Sequence, residues 1–220
     1  MNANDFLADK KPVEDAMARL EQKSTAEVVC VVATESGRYD RAESVLGVAL
    51  GLVGLAIADG AWASWGPPGS WMGPAPLVAQ AAGVVVGFLA GLLLASFVHP
   101  LRRLLVSARE QEEEVRRAAW AAFSGSRVGS TAGRTGVLVY VSLFEHRVVV
   151  LLDSGVRAVV EEGFAQQLVD KAVAGLKAGR RAEVLAELVD QVGEALAPKL
   201  PPAAKRPNEL PNHVIALHPR

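Results

Sequence analysis

The stretch 77-LVAQAAGVVVGFLAGLLLASFV-98 decides how this chain is organised, because none of its 22 residues is charged. At about 1.5 Å per residue, a helix of this length covers the hydrocarbon core of a bilayer, which is roughly 30 Å thick. A second apolar stretch, 45-VLGVALGLVGLAIA-58, reaches spanning length only if its helix continues through Asp59 to about Trp65. The sequence therefore predicts a transmembrane hairpin of two helices over residues 44–98.

Glycines recur at every fourth position in both stretches. One GxxxG step joins Gly47 and Gly51, and two more run from Gly83 through Gly87 to Gly91. Small residues at this spacing let the backbone of another helix approach closely. We expect the two helices to pack on each other, and a homo-oligomer formed through the same GxxxG faces is a further expectation.

A pair of buried helices in a soluble bundle is the alternative to a membrane hairpin. Against it stand the uncharged second stretch and the tryptophans Trp62, Trp65 and Trp71, because aromatic side chains gather at membrane interfaces. We place Asp59 at the same interface, on the non-cytoplasmic side, rather than in the hydrocarbon core. A channel or transporter is disfavoured, because Asp59 is the one charge that the two helices offer within the membrane.

The distribution of positive charge predicts the orientation of the hairpin. The connecting loop, residues 60–76, contains no Lys or Arg. Five arginines flank the hairpin on its outer sides: Arg38, Arg41, Arg102, Arg103 and Arg109. Positive residues stay in the cytoplasm, so we expect both termini and the soluble part to be cytoplasmic.

Composition limits the remaining functions. Roughly 165 residues lie outside the hairpin, enough for one soluble domain. The net charge is -1 and no long Lys/Arg run occurs, so we expect no nucleic-acid partner. Cys30 is the only cysteine, which excludes an intrachain disulfide and a metal site built on paired cysteines. The first 25 residues lack an apolar core, so we expect no cleavable signal peptide.

The soluble part has the pattern of a mixed α/β domain. Three apolar, β-branched runs predict strands at 26–34, 136–142 and 147–152, and we expect the last two to form a hairpin buried on both faces. Since a crossover containing a helix joins the first two strands, we expect them to be parallel. Helical spacing of apolar residues predicts four amphipathic helices: 12–24, 104–123, 164–179 and 182–196. Beyond Pro198 the tail shows no periodicity and is predicted to be irregular, with a docked segment around Asn208–Leu210.

Two places in the soluble part are candidates for a functional site. The loop 124-SGSRVGSTAGRT-135 contains Arg127 and Arg134, which together with backbone N–H groups are candidates for binding a phosphate, although a plain solvent loop is the simpler explanation of the composition. Its spacing matches neither a P-loop nor a dinucleotide fingerprint. Asp153 follows the third strand, where a carboxylate is well placed to meet a ligand or simply to form a turn.

Three segments carry a resemblance to a known family: TGVLVYVSLFEHRVVVLLDSGV at 135–156, SGRYDRAE at 36–43 and NELPN at 208–212. Together they resemble the TPM domain family, and in particular its bacterial membrane members, in which two transmembrane helices interrupt the domain after its first strand. The resemblance implies an α/β fold, a small sheet sandwiched by helices, with the transmembrane hairpin inserted.

On that resemblance we expect four segments. Residues 1–43 supply the N-terminal helix and first strand, residues 44–98 the transmembrane hairpin, residues 99–197 the remainder of the TPM-like domain, and residues 198–220 a Pro-rich tail.

The resemblance also suggests functions. Members of the family are linked to the maintenance of membrane proteins, as in photosystem II repair, a plant homologue has been ascribed phosphatase activity, and calcium binding is associated with the fold. We therefore expect a membrane-anchored binding or assembly module in the inner membrane of a bacterium, with a membrane-protein partner.

A weak phosphomonoesterase is the alternative, with Asp153 as the catalytic residue and Arg127 or Arg134 holding phosphate. Whether the chain is an enzyme thus stays open at this point. No cofactor is certain, and a divalent cation such as calcium, with Asp153 as candidate ligand, is the one that the resemblance suggests.

Overall fold

The computed structural model of this chain divides into two units. The sheet unit comprises Met1–Gly37 and Arg109–Arg220, and the hairpin unit comprises Arg38–Ala108. The structure describes residues 2–37, 39–65, 67, 71–98, 106–202, 210 and 213–218. The predicted flanking residues Arg38, Arg102 and Arg103 and the side chain of Arg41 lie outside this description.

A four-stranded sheet with the strand order β3-β2-β1-β4 forms the centre of the sheet unit. The strands are β1 (Glu27–Ala33), β2 (Gly136–Ser142), β3 (Arg147–Leu152) and β4 (Ile215–Leu217). The pairing of β1 with β2 is parallel, which confirms the prediction from the crossover between them. The β3 strand is antiparallel to β2, as a hairpin requires.

Eight α-helices accompany these strands among the described residues. They are α1 (Ala3–Phe6), α2 (Lys11–Lys23), α3 (Asp40–Ser64), α4 (Leu77–Phe97), α5 (Ala108–Gly125), α6 (Ser154–Arg157), α7 (Phe164–Lys177) and α8 (Ala182–Leu196). Four of them match the amphipathic helices of the sequence analysis, while the short α1 and α6 were not predicted. The start predicted for α5, at residue 104, lies outside the described residues.

Helices cover both faces of the sheet because alternate residues of each strand point to opposite sides. On one side, Cys30 and Val139 belong to a core shared with α1, α2, α7 and α8. On the other side, Val31 and Leu138 pack with Val115 and other residues of α5. The small sheet is therefore sandwiched by helices, and the α/β class expected from the sequence is confirmed.

Two features of the sheet differ from the predictions. All seven residues of β2 are buried, but β3 alternates between buried and partly exposed positions, so its predicted burial on two faces is wrong. The reason is that β3 is an edge strand. The prediction of an irregular tail is also wrong, because β4 pairs in parallel with Val31–Ala33. Leu210 is buried, as expected of a docked segment, while Asn208 lies outside the described residues.

The hairpin unit contains two helices that are long and apolar enough to cross a membrane, Glu43–Ser64 within α3 and Leu77–Phe97. Most of their large apolar side chains are exposed, as expected of surfaces that face lipid. The first helix extends to Ser64, so it does continue through Asp59, which the sequence analysis required for spanning length.

Glycines form the contact between α3 and α4. A Cβ atom added at Gly87 would overlap the carbonyl oxygen of Leu50, and one added at Gly54 would overlap the carbonyl oxygen of Gly83. The expectation that the two helices pack on each other is confirmed. Gly54, which lies outside the GxxxG steps, belongs to this contact as well. A homo-oligomer formed through GxxxG faces stays a proposal.

Candidate functional site

Asp153 directly precedes α6 and is its N-cap residue. Its Oδ1 atom accepts a hydrogen bond of 2.7 Å from the backbone N–H of Ser154, and 8% of its side chain is exposed. Since β3 is antiparallel to β2, Asp153 lies beside Gly136, where β2 begins. It therefore lies at the edge of the sheet opposite the carboxyl ends of the parallel strands. The expectation that Asp153 is well placed to meet a ligand relied on those carboxyl ends, so that reasoning does not apply to it.

Arg134 lies next to this carboxylate. Its Nη1 atom is 4.0 Å from Oδ1 of Asp153. Its carbonyl oxygen accepts a hydrogen bond of 2.9 Å from the backbone N–H of Gly155. A Cβ atom at Gly155 would be 2.7 Å from that oxygen, so only glycine fits where the loop crosses the start of α6. The structure thus brings together two of the three residues that the sequence singled out.

Arg127 is positioned differently. Its backbone is in the left-handed region, with φ of 56°, and it precedes the single 3-10 turn Val128–Ser130. Its side chain is exposed, and within the described part of the chain no hydrogen bond or ion pair joins it to Asp153.

Much of the predicted phosphate loop is bonded to itself. Backbone N–H groups of Ser130, Arg134 and Thr135 donate to Arg127 O, Thr131 O and Thr131 Oγ1. These three N–H groups already donate hydrogen bonds within the loop, so they are not available to an anion. The guanidinium groups of Arg127 and Arg134 are the donors left for it.

A surface pocket of about 460 Å³ lies against Asp153. Trp120 of α5 forms one wall, with 48% of the residue exposed, and its ring meets the ring of Phe123 edge to face at 5.6 Å. Arg157 also lines the pocket and donates a hydrogen bond of 3.1 Å to the carbonyl oxygen of Leu152. The Oδ2 atom of Asp153 is buried and accepts no hydrogen bond from the residues that the structure describes. The pocket therefore combines an aromatic wall with a carboxylate that has one unsatisfied oxygen.

The donor set for a metal ion is small. Among the residues that the structure describes, no three or more His, Cys, Asp or Glu side chains lie together as a metal-binding group. Calcium takes six to eight oxygen ligands, so within those residues Asp153 would be a lone protein carboxylate with water or backbone oxygens completing the shell. A divalent cation at Asp153 stays a prediction.

The sequence analysis missed a buried polar cluster at the carboxyl ends of β1 and β2. Glu145 is 2% exposed and accepts hydrogen bonds from the backbone N–H of Ser36 at 2.9 Å and from the Ser142 hydroxyl. The Ser36 hydroxyl lies 2.7 Å from that of Ser142 and 3.0 Å from that of Tyr140. Burial raises the pKa of Tyr140, and the negative charge of Glu145 adds to this, while the hydrogen bond with Ser36 opposes it.

Glu145 lies in the tight turn between β2 and β3, where the sequence analysis named no candidate site residue. No local signal marks it, because Ser36 is 109 positions away in the chain. The cluster atoms bond mainly to each other, so the arrangement holds the strand ends together.

Comparisons with known proteins agree with this architecture. Residues 97–195 match the family model of the TPM domain, a segment that contains β2, β3 and the Asp153 pocket. The fold is also similar to the NMR structure of the BA42 protein from the psychrophilic bacterium Bizionia argentinensis, with a TM-score of 0.54 and 16% sequence identity over 94% of this chain and 90% of that one. No curated protein matches the chain. The resemblance to the TPM domain family is thus shown for residues 97–195, where the family model matches.

Proposed function

We propose that the chain is a membrane-anchored TPM-domain protein that acts as a binding or assembly module for membrane proteins. The observation that carries this proposal is the pairing of an exposed aromatic ring with a buried, unsatisfied acceptor at one pocket. Trp120 is half exposed, and Oδ2 of Asp153 accepts no hydrogen bond within the described part of the chain. Tryptophan is enriched among the residues that dominate protein interfaces. An unsatisfied buried acceptor costs about 1–3 kcal/mol. A partner that covers Trp120 and donates to Oδ2 of Asp153, once this carboxylate has turned toward the pocket, buries the exposed ring and satisfies the acceptor.

The same pocket lacks most of what hydrolysis requires. A phosphatase must stabilise charge on the transferring group and supply or activate a nucleophile, usually with metal ions or several convergent donors. Asp153 uses one carboxylate oxygen to cap α6. A weak phosphomonoesterase remains the second candidate because Arg134 lies 4.0 Å from Asp153 and Arg157 lines the pocket, so two guanidinium groups are near a phosphate placed there.

The binding proposal is tested by photo-cross-linking in native membranes. A photoreactive residue replaces the exposed Ser154 of the full chain, and the expected product is a cross-link to a membrane protein. Trp120→Ala should weaken binding about thirtyfold, the equivalent of ~2 kcal/mol for a dominant interface residue. Arg116→Ala, at an exposed position of the same helix, serves as the control and should keep the cross-link. A cross-link that survives Trp120→Ala contradicts the proposal.

The enzyme alternative is tested with the purified full chain and a phosphomonoester, with and without magnesium or calcium. We expect little or no turnover, and any binding of a divalent ion should be weak and lost in Asp153→Asn. Asparagine is as good an N-cap as aspartate, so the variant keeps its fold, which circular dichroism checks. Robust hydrolysis that disappears in Asp153→Asn would replace the binding proposal with the phosphatase one.

We further propose that α3 and α4 anchor the chain in a bacterial inner membrane with both termini in the cytoplasm. The support is the contrast between a connecting loop without Lys or Arg and the arginines outside it. A reporter that is active only in the periplasm should be inactive when fused after Arg220 and active when inserted near Gly69. The opposite pattern reverses the proposed orientation.

A further inference from the structure

A second pocket, of about 480 Å³, lies at the other end of the sheet from Asp153. It is formed by the β2–β3 hairpin together with the end of α7 and the turn into α8. Its volume is within the range of roughly 300–1,000 Å³ that small-molecule sites occupy. Its place near the carboxyl end of β2 is also where open α/β sheets bind ligands.

The lining of this pocket is amphipathic. Its apolar part consists of one aromatic and five aliphatic side chains: Phe6, Val141, Leu143, Val148, Val173 and Leu176. Its basic part consists of His146, Arg147, Lys177, Arg180 and Arg181. Among the described residues, no aspartate or glutamate lines it. An apolar pocket with a basic rim is complementary to a ligand that carries a hydrocarbon chain and a negative charge.

Glycines fix the basic residues at the mouth of the pocket. Gly179 has φ of 82°, and its N–H donates to the carbonyl oxygen of Leu176 at 3.0 Å, which ends α7 in a left-handed turn. A Cβ atom at Gly175 would overlap the side chain of Val184, so glycine allows α7 and α8 to meet closely. The turn between the two helices therefore carries Arg180 and Arg181 close to Lys177, the last residue of α7.

Two exposed ion pairs and one long hydrogen bond involve basic residues of this pocket. Nη1 of Arg181 donates the hydrogen bond to the carbonyl oxygen of Asp5 at 3.4 Å. Arg147 lies 3.4 Å from Glu112 and Arg180 lies 2.5 Å from Glu187, both as solvent-exposed pairs. Such pairs contribute little to stability. Lys177 forms no ion pair within the described part of the chain.

We propose that this pocket binds a single-chain amphipathic anion, an alkyl carboxylate of medium length. The chain lies against Val148, Val173 and Leu176, and the carboxylate is held at the mouth by Lys177 and Arg181. The largely aliphatic lining favours a hydrocarbon chain over a nucleotide, which would need an aromatic surface for its base. The site shares no residue with the Trp120–Asp153 pocket, so the proposal does not depend on the proposed function.

The test uses the full chain in nanodiscs of zwitterionic phosphatidylcholine and a decanoate that carries a photoreactive diazirine in its chain. Mass spectrometry should find labelled peptides from residues 141–148 and 173–181. The double variant Lys177→Glu, Arg181→Glu should bind about tenfold more weakly, the equivalent of ~1.4 kcal/mol. Lys171→Glu, at an exposed position of the same helix outside the pocket, is the matched control and should keep the labelling.

Competition separates the parts of the proposal. Unlabelled decanoate should displace the probe, decanol should be at least about tenfold weaker, the equivalent of ~1.4 kcal/mol, and inorganic phosphate should not compete. The proposal is overturned if the label is found only in the hairpin unit. It is also overturned if labelling is unchanged in the double variant while that variant keeps the melting temperature of the wild type. Equal competition by decanol rejects the anionic part, and equal competition by phosphate rejects the apolar part.

Discussion

The carboxylate of Glu145 accepts a hydrogen bond of 2.9 Å from the backbone N–H of Ser36, 109 positions earlier in the chain. This bond joins the segment that follows β1 to the turn that follows β2. The whole hairpin unit, Arg38–Ala108, is inserted in the sequence between the two bonded groups. The strand ends are therefore held by the sheet unit itself, whatever length of chain the insertion adds.

Replacing Glu145 should destabilise the sheet unit. In Glu145→Gln the amide oxygen can still accept one of the two hydrogen bonds. The NH₂ group takes the place of the other carboxylate oxygen, so it cannot accept the second bond. Hydrogen bonds to charged groups contribute about 1.5–3 kcal/mol, so we expect the free energy of unfolding to fall by that amount. Denaturant unfolding of the full chain in detergent micelles measures it. Glu194→Gln, an exposed change in α8, should have no effect, and equal stability of the two variants would contradict this role.

A methyl group at Gly87 should disrupt the packing of α3 and α4. Its Cβ atom would overlap the backbone of Leu50, which cannot move aside as a flexible side chain could. Overpacking of this kind typically costs about 1–3 kcal/mol, so Gly87→Ala should lower the melting temperature of the hairpin unit. Gly60→Ala is the matched control, because no atom outside its helix lies within 4 Å of an added Cβ. If both variants melt alike, the helices do not pack through Gly87.

Asp59 connects the two helices of the hairpin unit, and its variants should differ in effect. Its Oδ1 atom accepts hydrogen bonds from the backbone N–H of Ala75 at 3.1 Å and from the side chain of Gln80 at 3.0 Å. The amide oxygen in Asp59→Asn can accept both bonds, so insertion and function should survive. Asp59→Ala loses both, at about 0.5–1.5 kcal/mol each, and should lower the melting temperature. Loss of function in Asp59→Asn with normal insertion would instead indicate an ion or proton role.

Cys30 should make stability depend on pH in the alkaline range. Burial raises the pKa of its thiol from 9.0 to about 12. The unfolded thiol ionises first, so the stabilisation is complete below pH 9.0 and is lost as the pH rises toward 12. Between pH 8 and 10 the wild type should lose about 1.4 kcal/mol more than Cys30→Ala. Denaturant midpoints at the two pH values measure the difference, and parallel losses would refute a buried neutral thiol.

The parts of the fold that the sequence predicts well are those with local signals. The bounds predicted for β2 and β3 from continuous apolar runs are those that the structure shows. The bounds predicted for α8 from helical spacing also agree with the structure. The two apolar helices were also recognised, because length and lack of charge are properties of the segment itself. Strand direction followed from the length of the connection between β1 and β2.

The features that were missed depend on contacts between distant residues. The β4 strand has three residues, too few to show a period, and it exists because Val31–Ala33 offers a parallel neighbour. The burial of Glu145 depends on Ser36 in the same way. Asp153 was predicted to follow a strand, and it does. The direction of that strand decides at which edge of the sheet Asp153 lies. Because β3 is antiparallel to β2, Asp153 lies beside Gly136.

The parallel pairing of β1 with β2 has a consequence for biosynthesis. About 100 residues separate the two strands, so at roughly 5–20 residues per second the ribosome takes on the order of 5–20 s to deliver the partner of β1. During that interval both apolar helices leave the ribosome and β1 has no β2 to pair with. Unpaired apolar strands aggregate readily. A stall in membrane insertion therefore prolongs the exposure of β1, and a holding chaperone acting on nascent chains would act in this interval.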